Sequence, residues 1–180
     1  MTVSDAQAAA DRTASAVAGF SAKEFRQTLG GFATGVTVIT TRGEAHDFGM
    51  TATAFSSVSL DPPLVLVCVI VGSTGADLIP RNGVFAANIL SNRQEAISNY
   101  FASRDRPRGR DAFAEIPHHE VATGAPVSDD VAAFLDCRLV ETHESGDHLI
   151  FIGEVVALGV DPDVEPLVFH GGRYRAVIDP

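Results

Sequence analysis

The segment from Gly49 to Ser59 alternates small and hydroxyl-bearing residues and offers little side-chain volume for a core. Two interpretations fit this pattern. It is either a strand whose polar side faces water, or the floor of a groove where a flat ligand lies close to the backbone. In such a groove, amides and hydroxyls can hydrogen-bond to the polar edge of a heterocycle. Composition leaves both interpretations open.

The loop Gly72-Ser73-Thr74-Gly75 follows an apolar run and precedes a short predicted helix. Free backbone amides at a helix start, together with two hydroxyls, can bind an anion. The loop is equally compatible with a plain strand-to-helix connection in which Ser73 or Thr74 caps the helix. It contains neither a Walker motif nor a G-x-S-x-G nucleophile elbow.

His148 begins an apolar strand directly after a Gly-Asp turn. A histidine in this position is most often a surface group, but it can also donate a hydrogen bond or help to seat a planar cofactor. Two other groups of histidines contain residue types that can bind a metal ion. His118 and His119 are adjacent, so on a strand their side chains would point apart, and a loop is the simpler interpretation. His143, His148 and Asp147 could also form a metal cluster, but this interpretation is disfavoured.

The composition limits the class of protein. The 180 residues carry 13 Lys and Arg, 23 Asp and Glu and a formal charge of -10, which argues against a nucleic-acid or anionic-membrane binder. Cys68 and Cys137 lie in apolar runs and are expected to be buried, reduced thiols. We see no signal peptide and no membrane-spanning run, so a cytoplasmic protein is expected.

The hydrophobic pattern predicts a tail over residues 1–19 and one domain over 20–180. A capping box at Ser21 and Glu24 predicts a helix that ends near Gly30-Gly31, with an apolar stripe at Phe25, Leu29 and Phe32. The remaining predicted elements are strands at 36–41, 48–55, 64–71, 84–90, 134–142 and 149–158, and helices at 76–79 and 93–102.

These elements predict a mainly β (α+β) fold, in which about six strands form a β-barrel with a few short helices. The run Leu64–Val71 is apolar on both faces, as is typical of a central strand buried on both sides. Strands 36–41 and 48–55 are expected to pair as a hairpin, and residues 144–147 to form a tight turn. There is no G-x-G-x-x-G after a strand, which argues against a doubly wound dinucleotide-binding fold.

Five segments in this order resemble the short-chain flavin reductase family, the reductase components of two-component flavin-dependent monooxygenases. Any one of these segments alone would be weak evidence for the family, but five of them in the same order over nearly the whole chain are specific evidence. The segments are Phe25–Thr40, Gly49–Val69, Phe85–Leu90, Gly146–Val155 and Leu167–Arg175.

The resemblance implies a split β-barrel of the FMN-binding type that works as a homodimer, with flavin in a groove near the subunit interface. It implies reduction of FMN or FAD by NADH or NADPH, and supply of diffusible reduced flavin to an oxygenase component. His148 would contact the nicotinamide, with Tyr174 near the same pocket. The residues it implies around the flavin are Met50, Thr51, Ala52, Thr53, Ser56, Ser57, Ser73, Thr74, Ala87, Asn88, Ile89, Phe101 and Arg104.

The chain departs from the family pattern at Val71-Gly72, where members often carry Asp or Asn followed by Lys or Arg. The flavin phosphate would then lose a cationic partner, which an arginine from the loop 104–110 could replace; Arg104 is the candidate. Two other functions stay open from the sequence. One is a flavin-binding or sensing module without NAD(P)H turnover, and the other is an oxidase of the pyridoxamine-phosphate-oxidase kind.

Overall fold

The computed structural model describes residues 19–43 and 46–177, so the predicted tail lies almost wholly outside the described residues. Within them the fold is mainly β. The helices are α1 (Ala22–Leu29), α2 (Thr74–Asn82), α3 (Glu95–Ala102) and the 3-10 turn Gly109–Phe113. The strands are β1 (Thr34–Gly35), β2 (Thr37–Thr41), β3 (Phe48–Ala52), β4 (Phe55–Leu60), β5 (Pro63–Ile70), β6 (Val84–Ile89), β7 (His118–Glu120), β8 (Pro126–Ser128), β9 (Ala133–Ser145), β10 (His148–Val160), β11 (Val168–His170) and β12 (Arg173–Arg175).

Seven strands form one antiparallel sheet in the order β3-β2-β6-β9-β10-β5-β4. The two edge strands, β3 and β4, are consecutive in the chain and are separated only by Thr53 and Ala54. A sheet whose opposite edges are joined by two residues must curl until those edges meet. The backbone N–H of Cys68 in β5 donates to the carbonyl of Ala54 at 3.0 Å, which fixes this corner. Because β3 and β4 do not pair, the barrel stays open along one seam, and the predicted split barrel is confirmed.

Helix α2 packs against β2, β3, β5 and β6 from inside the curled sheet. Its buried Ile79 lies in the main core, where Phe85 and Phe151 are the largest fully buried side chains. A second core, with Val38 and Phe101 among its members, lies on the other face of β2 under α3. All five residues of β2 are therefore buried.

The prediction that the Leu64–Val71 run is buried on both faces is wrong for the isolated chain. Burial alternates along β5, with Val65, Val67 and Val69 inside and Ile70 58% exposed on the other face. Strand β2 is buried on both faces instead, because Ile39 packs in the main core and Val38 packs in the second core. Cys68 accordingly is half-buried, whereas Cys137 is buried as expected, and burial raises the pKa of its thiol to about 12.

Three local predictions also need correction. The strand predicted over 48–55 breaks at Thr53-Ala54, where the chain crosses from one sheet edge to the other, although β2 and β3 pair as the expected hairpin. His118–Glu120 is a strand paired with β8 and not a loop. The turn expected at residues 144–147 contains only Gly146 and Asp147, since β9 runs on to Ser145.

The predicted start of α1 is confirmed in detail. Ser21 caps the helix, the Glu24 N–H donates to Ser21 Oγ, and the Glu24 carboxylate accepts from the Ser21 N–H at 2.7 Å. Its apolar stripe, however, is largely exposed within the described residues, although Phe25 stacks on Phe20 with ring centroids 5.9 Å apart. Phe25, Leu29 and Phe32 are 51%, 56% and 76% exposed.

Gly153 is required by close packing inside the barrel. A Cβ on this residue would overlap the Phe85 ring and lie 2.9 Å from Cβ of Cys137. We expect Gly153→Ala to lower the free energy of unfolding by about 1–3 kcal/mol, since extra volume in a filled core forces its neighbours to shift. Urea denaturation followed by circular dichroism measures this change.

Gly35→Ala is the matched control, because a Cβ at Gly35 meets no atom within 4 Å. Its denaturation midpoint should stay at the wild-type value. An unchanged midpoint for Gly153→Ala would contradict the packing argument.

Candidate flavin and nicotinamide site

A groove of about 250 Å³ lies at the corner where β3 leads into β4. Thr37, Thr53 and Ile89 lie along its floor, since Thr37 pairs with both Ala52 and Ile89. The hydroxyl of Thr37 donates its hydrogen to the Ala52 carbonyl at 2.7 Å, so it is not free to donate a hydrogen bond to a ligand. The residues that line the groove are Phe32, Ala33, Thr34, Gly35, Thr37, Thr53, Phe55 and Ile89.

The open edge of β3 adjoins this groove. In an antiparallel pair, alternate residues of an edge strand turn their N–H and C=O groups away from the neighbouring strand. The Gly49 carbonyl points outward, because it accepts a hydrogen bond from the guanidinium of Arg106. Thr51, two residues further along, has the same orientation and offers a backbone donor and acceptor at the seam.

Two elements hold β3 in place from opposite sides. The Thr51 hydroxyl donates to the Ser98 carbonyl of α3 at 2.6 Å, and Ser98 Oγ shares a 2.8 Å hydrogen bond with the Tyr174 hydroxyl. On the other side, Gly75 in the first turn of α2 packs against Met50, where an added Cβ would lie 3.0 Å from the Met50 sulfur. The seam strand is therefore fixed between two helices.

The loop before α2 lies beside the β9–β10 turn. His148 pairs with Ile70 at the end of β5, and the Val71 N–H donates to the Asp147 carbonyl at 3.0 Å. Ser73 follows and caps α2, its hydroxyl accepting from the Ala76 N–H at 3.3 Å. The fold thus brings His148, the Ser73 loop and the β3–β4 corner to the same end of the barrel.

His148 and Asp147 form an exposed pair. Their Nδ1 and Oδ1 atoms are 2.6 Å apart, and the His148 side chain is 38% exposed. The hydrogen bond from His148 lowers the pKa of the Asp147 carboxyl, and the imidazole's charge acts in the same direction. The contact orients the ring and leaves Nε2 for a ligand.

The chain is similar to a known protein family over most of its length. The model of the flavin reductase like domain matches residues 29–177, most of the chain. The chain belongs to the flavin reductase family.

Individual relatives agree with this assignment. The chain is 37% identical over 155 residues to the reductase subunit of a flavin-dependent monooxygenase from Rhodococcus jostii, covering 86% of this chain and 77% of that one. It is 39% identical over 153 residues to an NADH-dependent FAD reductase from Streptomyces globisporus, covering 84% of each. The solved NADH:FAD oxidoreductase from Streptomyces globisporus superposes with a TM-score of 0.82 at 38% identity, covering 87% of this chain and 93% of that one.

The structure divides the residues that the flavin reductase resemblance implies into three groups by exposure. Four are buried: Ala52, Ala87, Asn88 and Phe101. Six are half-buried at the seam or beside it: Met50, Thr51, Ser73, Ile89, His148 and Tyr174. The exposed ones are Thr53, Ser56, Ser57, Thr74 and Arg104.

The four buried residues pack in the core beside the groove. The Asn88 amide donates to the Val38 carbonyl at 2.9 Å and accepts from the Ser128 N–H at 2.8 Å, so its polar atoms are used inside the barrel. Phe101 is 2% exposed and lies against Gly49, where a Cβ would collide with its ring. In the described chain these side chains are enclosed by the core, where their contacts hold β2 and β3.

Several residues of the site escaped sequence reasoning. The sequence pattern predicts Phe32 in the apolar stripe of α1, but the residue follows that helix and lines the groove. The pattern predicts Phe55 as the end of a strand, whereas it is the first residue of the other edge strand. Arg106 was one of several loop arginines, and only its contacts in the fold distinguish it. In the described part of the chain, no group of three or more His, Cys, Asp or Glu residues is placed to hold a metal ion, and no helix is long and apolar enough to cross a membrane.

The Asp147–His148 contact predicts a pH dependence. A carboxyl whose pKa is lowered by folding stabilises the protein above its unfolded pKa, and this contribution is lost as pH falls through the folded pKa. We expect the Asp147 pKa to lie below the ordinary value of about 3.9, and His148→Ala to raise it towards that value. A carbon-13 NMR titration of the carboxyl groups measures both values.

His143→Ala is the control, since His143 contacts Glu141 in the same hairpin at 2.8 Å and not Asp147. This variant should leave the Asp147 pKa unchanged. An Asp147 pKa that is the same in wild type and His148→Ala would show that the contact is absent in solution.

Proposed function

We propose that this protein is an NADH-dependent flavin reductase that reduces free FMN or FAD and releases the reduced flavin to an oxygenase component. The observation that carries the proposal is the groove beside the open edge of β3, in a chain of the flavin reductase family. Relatives described as NADH-dependent FAD and FMN reductases support the cofactor assignment. A related oxidoreductase structure holds NAD and FAD fragments.

The groove suits the ring system of a flavin. Thr53 and Ile89 present small or flat surfaces at its floor, and the outward backbone groups of Thr51 can pair with the polar edge of a heterocycle. Phe32 and Phe55 provide apolar contact area on either side. The N–H groups at the start of α2, with Thr74 exposed beside them, are suited to the phosphate end.

The reaction requires little acid-base machinery from the protein. A bound flavin supplies the chemistry by accepting hydride at N5 from C4 of the nicotinamide. The residues of the chain must hold the two rings in contact, at about 3–3.5 Å, and leave one face of the groove open. His148 lies at the same end of the barrel, half exposed, and we assign it to the nicotinamide.

A second copy of the chain completes the site in this proposal. The groove of about 250 Å³ is smaller than the roughly 300–1,000 Å³ of typical ligand pockets. Phe25 and Leu29 of α1 are about half exposed on an apolar helix face beside Phe32, which itself lines the groove. A large exposed apolar face marks an interaction surface. We therefore infer a homodimer in which this face is covered.

An oxygenase partner is supported by the relatives. One is the reductase subunit of a flavin-dependent monooxygenase, and a solved relative is the flavin reductase component of a two-component tryptophan halogenase. A reductase of this kind must let its product leave. The net charge of -10 gives the chain no long-range attraction for an anionic flavin, which is compatible with release.

Steady-state kinetics test the activity. Catalytic amounts of protein with excess FMN or FAD should oxidise NADH over many turnovers, with and without oxygen, as followed by NADH absorbance. Because His148 is assigned to the nicotinamide, His148→Ala should raise the KM for NADH about tenfold and change the flavin dissociation constant little.

His143→Ala, on the same hairpin, should behave as wild type. Flavin binding without NADH oxidation would indicate a binding module instead of a reductase. A loss of flavin affinity larger than the rise in the KM for NADH would remove His148 from the nicotinamide site.

The homodimer has its own test. Leu29→Glu places a charge on the exposed apolar face of α1 and should shift the protein towards monomer in analytical ultracentrifugation. Gln27→Glu adds the same charge to the opposite side of the helix and should stay dimeric. A monomeric wild-type protein at micromolar concentration would rule out the dimer.

A further inference from the structure

Arg106 is the loop arginine that reaches the seam strand. Its guanidinium donates hydrogen bonds to the carbonyls of Ser103 and Gly49. It also lies over two aromatic rings, 5.6 Å from the centroid of Phe48 and 5.7 Å from that of Phe101. These four contacts fix the position of the charge at the open edge of β3.

The charge of Arg106 has no carboxylate partner among residues 19–43 and 46–177, where Arg42 is the arginine that forms ion pairs with acids. Burial lowers the pKa of Arg106, and the nearby positive charge of Arg108 also acts in this direction. A guanidinium carries five N–H donors, and the two carbonyls use two of them. The remaining donors can make charge-assisted hydrogen bonds to an anion.

Arg106 lies near the start of α2, where the site has no positive charge of its own. The start of α2 has no basic residue at Val71-Gly72, and its first turn contains the acidic Asp77. The same Phe48 ring contacts both sides, because a Cβ at Gly75 would lie 3.0 Å from it and Arg106 lies over its face. A phosphate at the first turn of α2 is therefore within the neighbourhood of the Arg106 guanidinium.

Arg104 offers no such arrangement. Its side chain is exposed, and no hydrogen bond or ion pair of its side chain is formed with the described residues. An exposed arginine without contacts loses side-chain entropy when it binds a ligand, whereas Arg106 is already ordered by two carbonyls and two rings.

We propose that Arg106 binds the phosphate group of the flavin and replaces the basic residue that is absent at positions 71–72. The proposal rests on the flavin site described above and assigns its charge recognition to a residue of the loop 103–110. The Gly49 carbonyl and the Phe48 and Phe101 rings hold the guanidinium so that its free donors face the phosphate.

Comparison of FMN with riboflavin, which lacks the phosphate, tests this contact. Dissociation constants are measured by flavin fluorescence for wild type, Arg106→Gln and Arg106→Lys. We expect Arg106→Gln to weaken FMN binding about tenfold to a hundredfold and riboflavin binding less than twofold, since one charged hydrogen-bonding partner is lost. Arg106→Lys keeps the charge but loses the planar guanidinium, so its FMN affinity should lie between those of wild type and Arg106→Gln.

Arg108→Gln is the matched control, because it removes the same charge from an exposed position of the same loop. It should leave both affinities at wild-type values. Circular dichroism melting of each variant checks that the fold is intact. If Arg106→Gln does not fold, Arg106→Lys replaces it in the comparison of FMN with riboflavin.

Three results would overturn the proposal. Equal losses of FMN and riboflavin affinity would show that Arg106 only holds β3 in place. Unchanged affinities for both, or an FMN-selective loss in Arg104→Gln instead, would remove Arg106 from the phosphate. Failure of the proposed reductase function is recognised separately: wild-type protein would then bind FMN but not oxidise NADH, while the Arg106 comparison could still be made. A wild type that binds neither flavin overturns both.

Discussion

The link of two residues between β3 and β4 is the constraint on which the rest of the structure depends. These strands are the opposite edges of a seven-stranded sheet, and a link this short brings the edges together at one point. Away from Thr53 and Ala54 they diverge without pairing, so β3 keeps outward-facing backbone groups. An unpaired edge is normally an aggregation hazard, but here it borders the groove and is flanked by helices.

Rigid packing surrounds this open edge. Phe101 lies on Gly49 from the α3 side, and Gly75 brings α2 against Met50 from inside the barrel. A Cβ at Gly49 would overlap the Phe101 ring, and a Cβ at Gly75 would be in tight contact, 3.0 Å, with the Met50 sulfur. Two arginines near β3 differ in their partners. Arg42 is neutralised by Asp47 and Glu120, whereas Arg106 contacts carbonyls and aromatic rings. An acidic protein thus keeps one ordered positive charge at its seam.

Much of the local structure could be predicted because its signals are local. The capping box at Ser21 and the β-branched run of β2 involve residues a few positions apart, and both are found. The error at β5 has a different cause. An apolar run predicts burial on both faces only if something packs on each face, and in the described chain helices cover one side. The sequence pattern does not predict the break at Thr53-Ala54, because small residues continue a strand as readily as they end one.

The sequence by itself determined the family, the mainly β fold and the position of the strand that we propose as the border of the flavin site, because five ordered motifs and their spacing carry that information. Only the tertiary structure decided which side chains are exposed at the groove and the seam. Asn88 belongs to one of these motifs and Phe101 is implied by the same resemblance, but both are buried, while Phe32 lines the groove and Arg106 reaches the seam. The reason is that exposure and charge pairing depend on residues distant in the chain, which the curling of the sheet alone brings together.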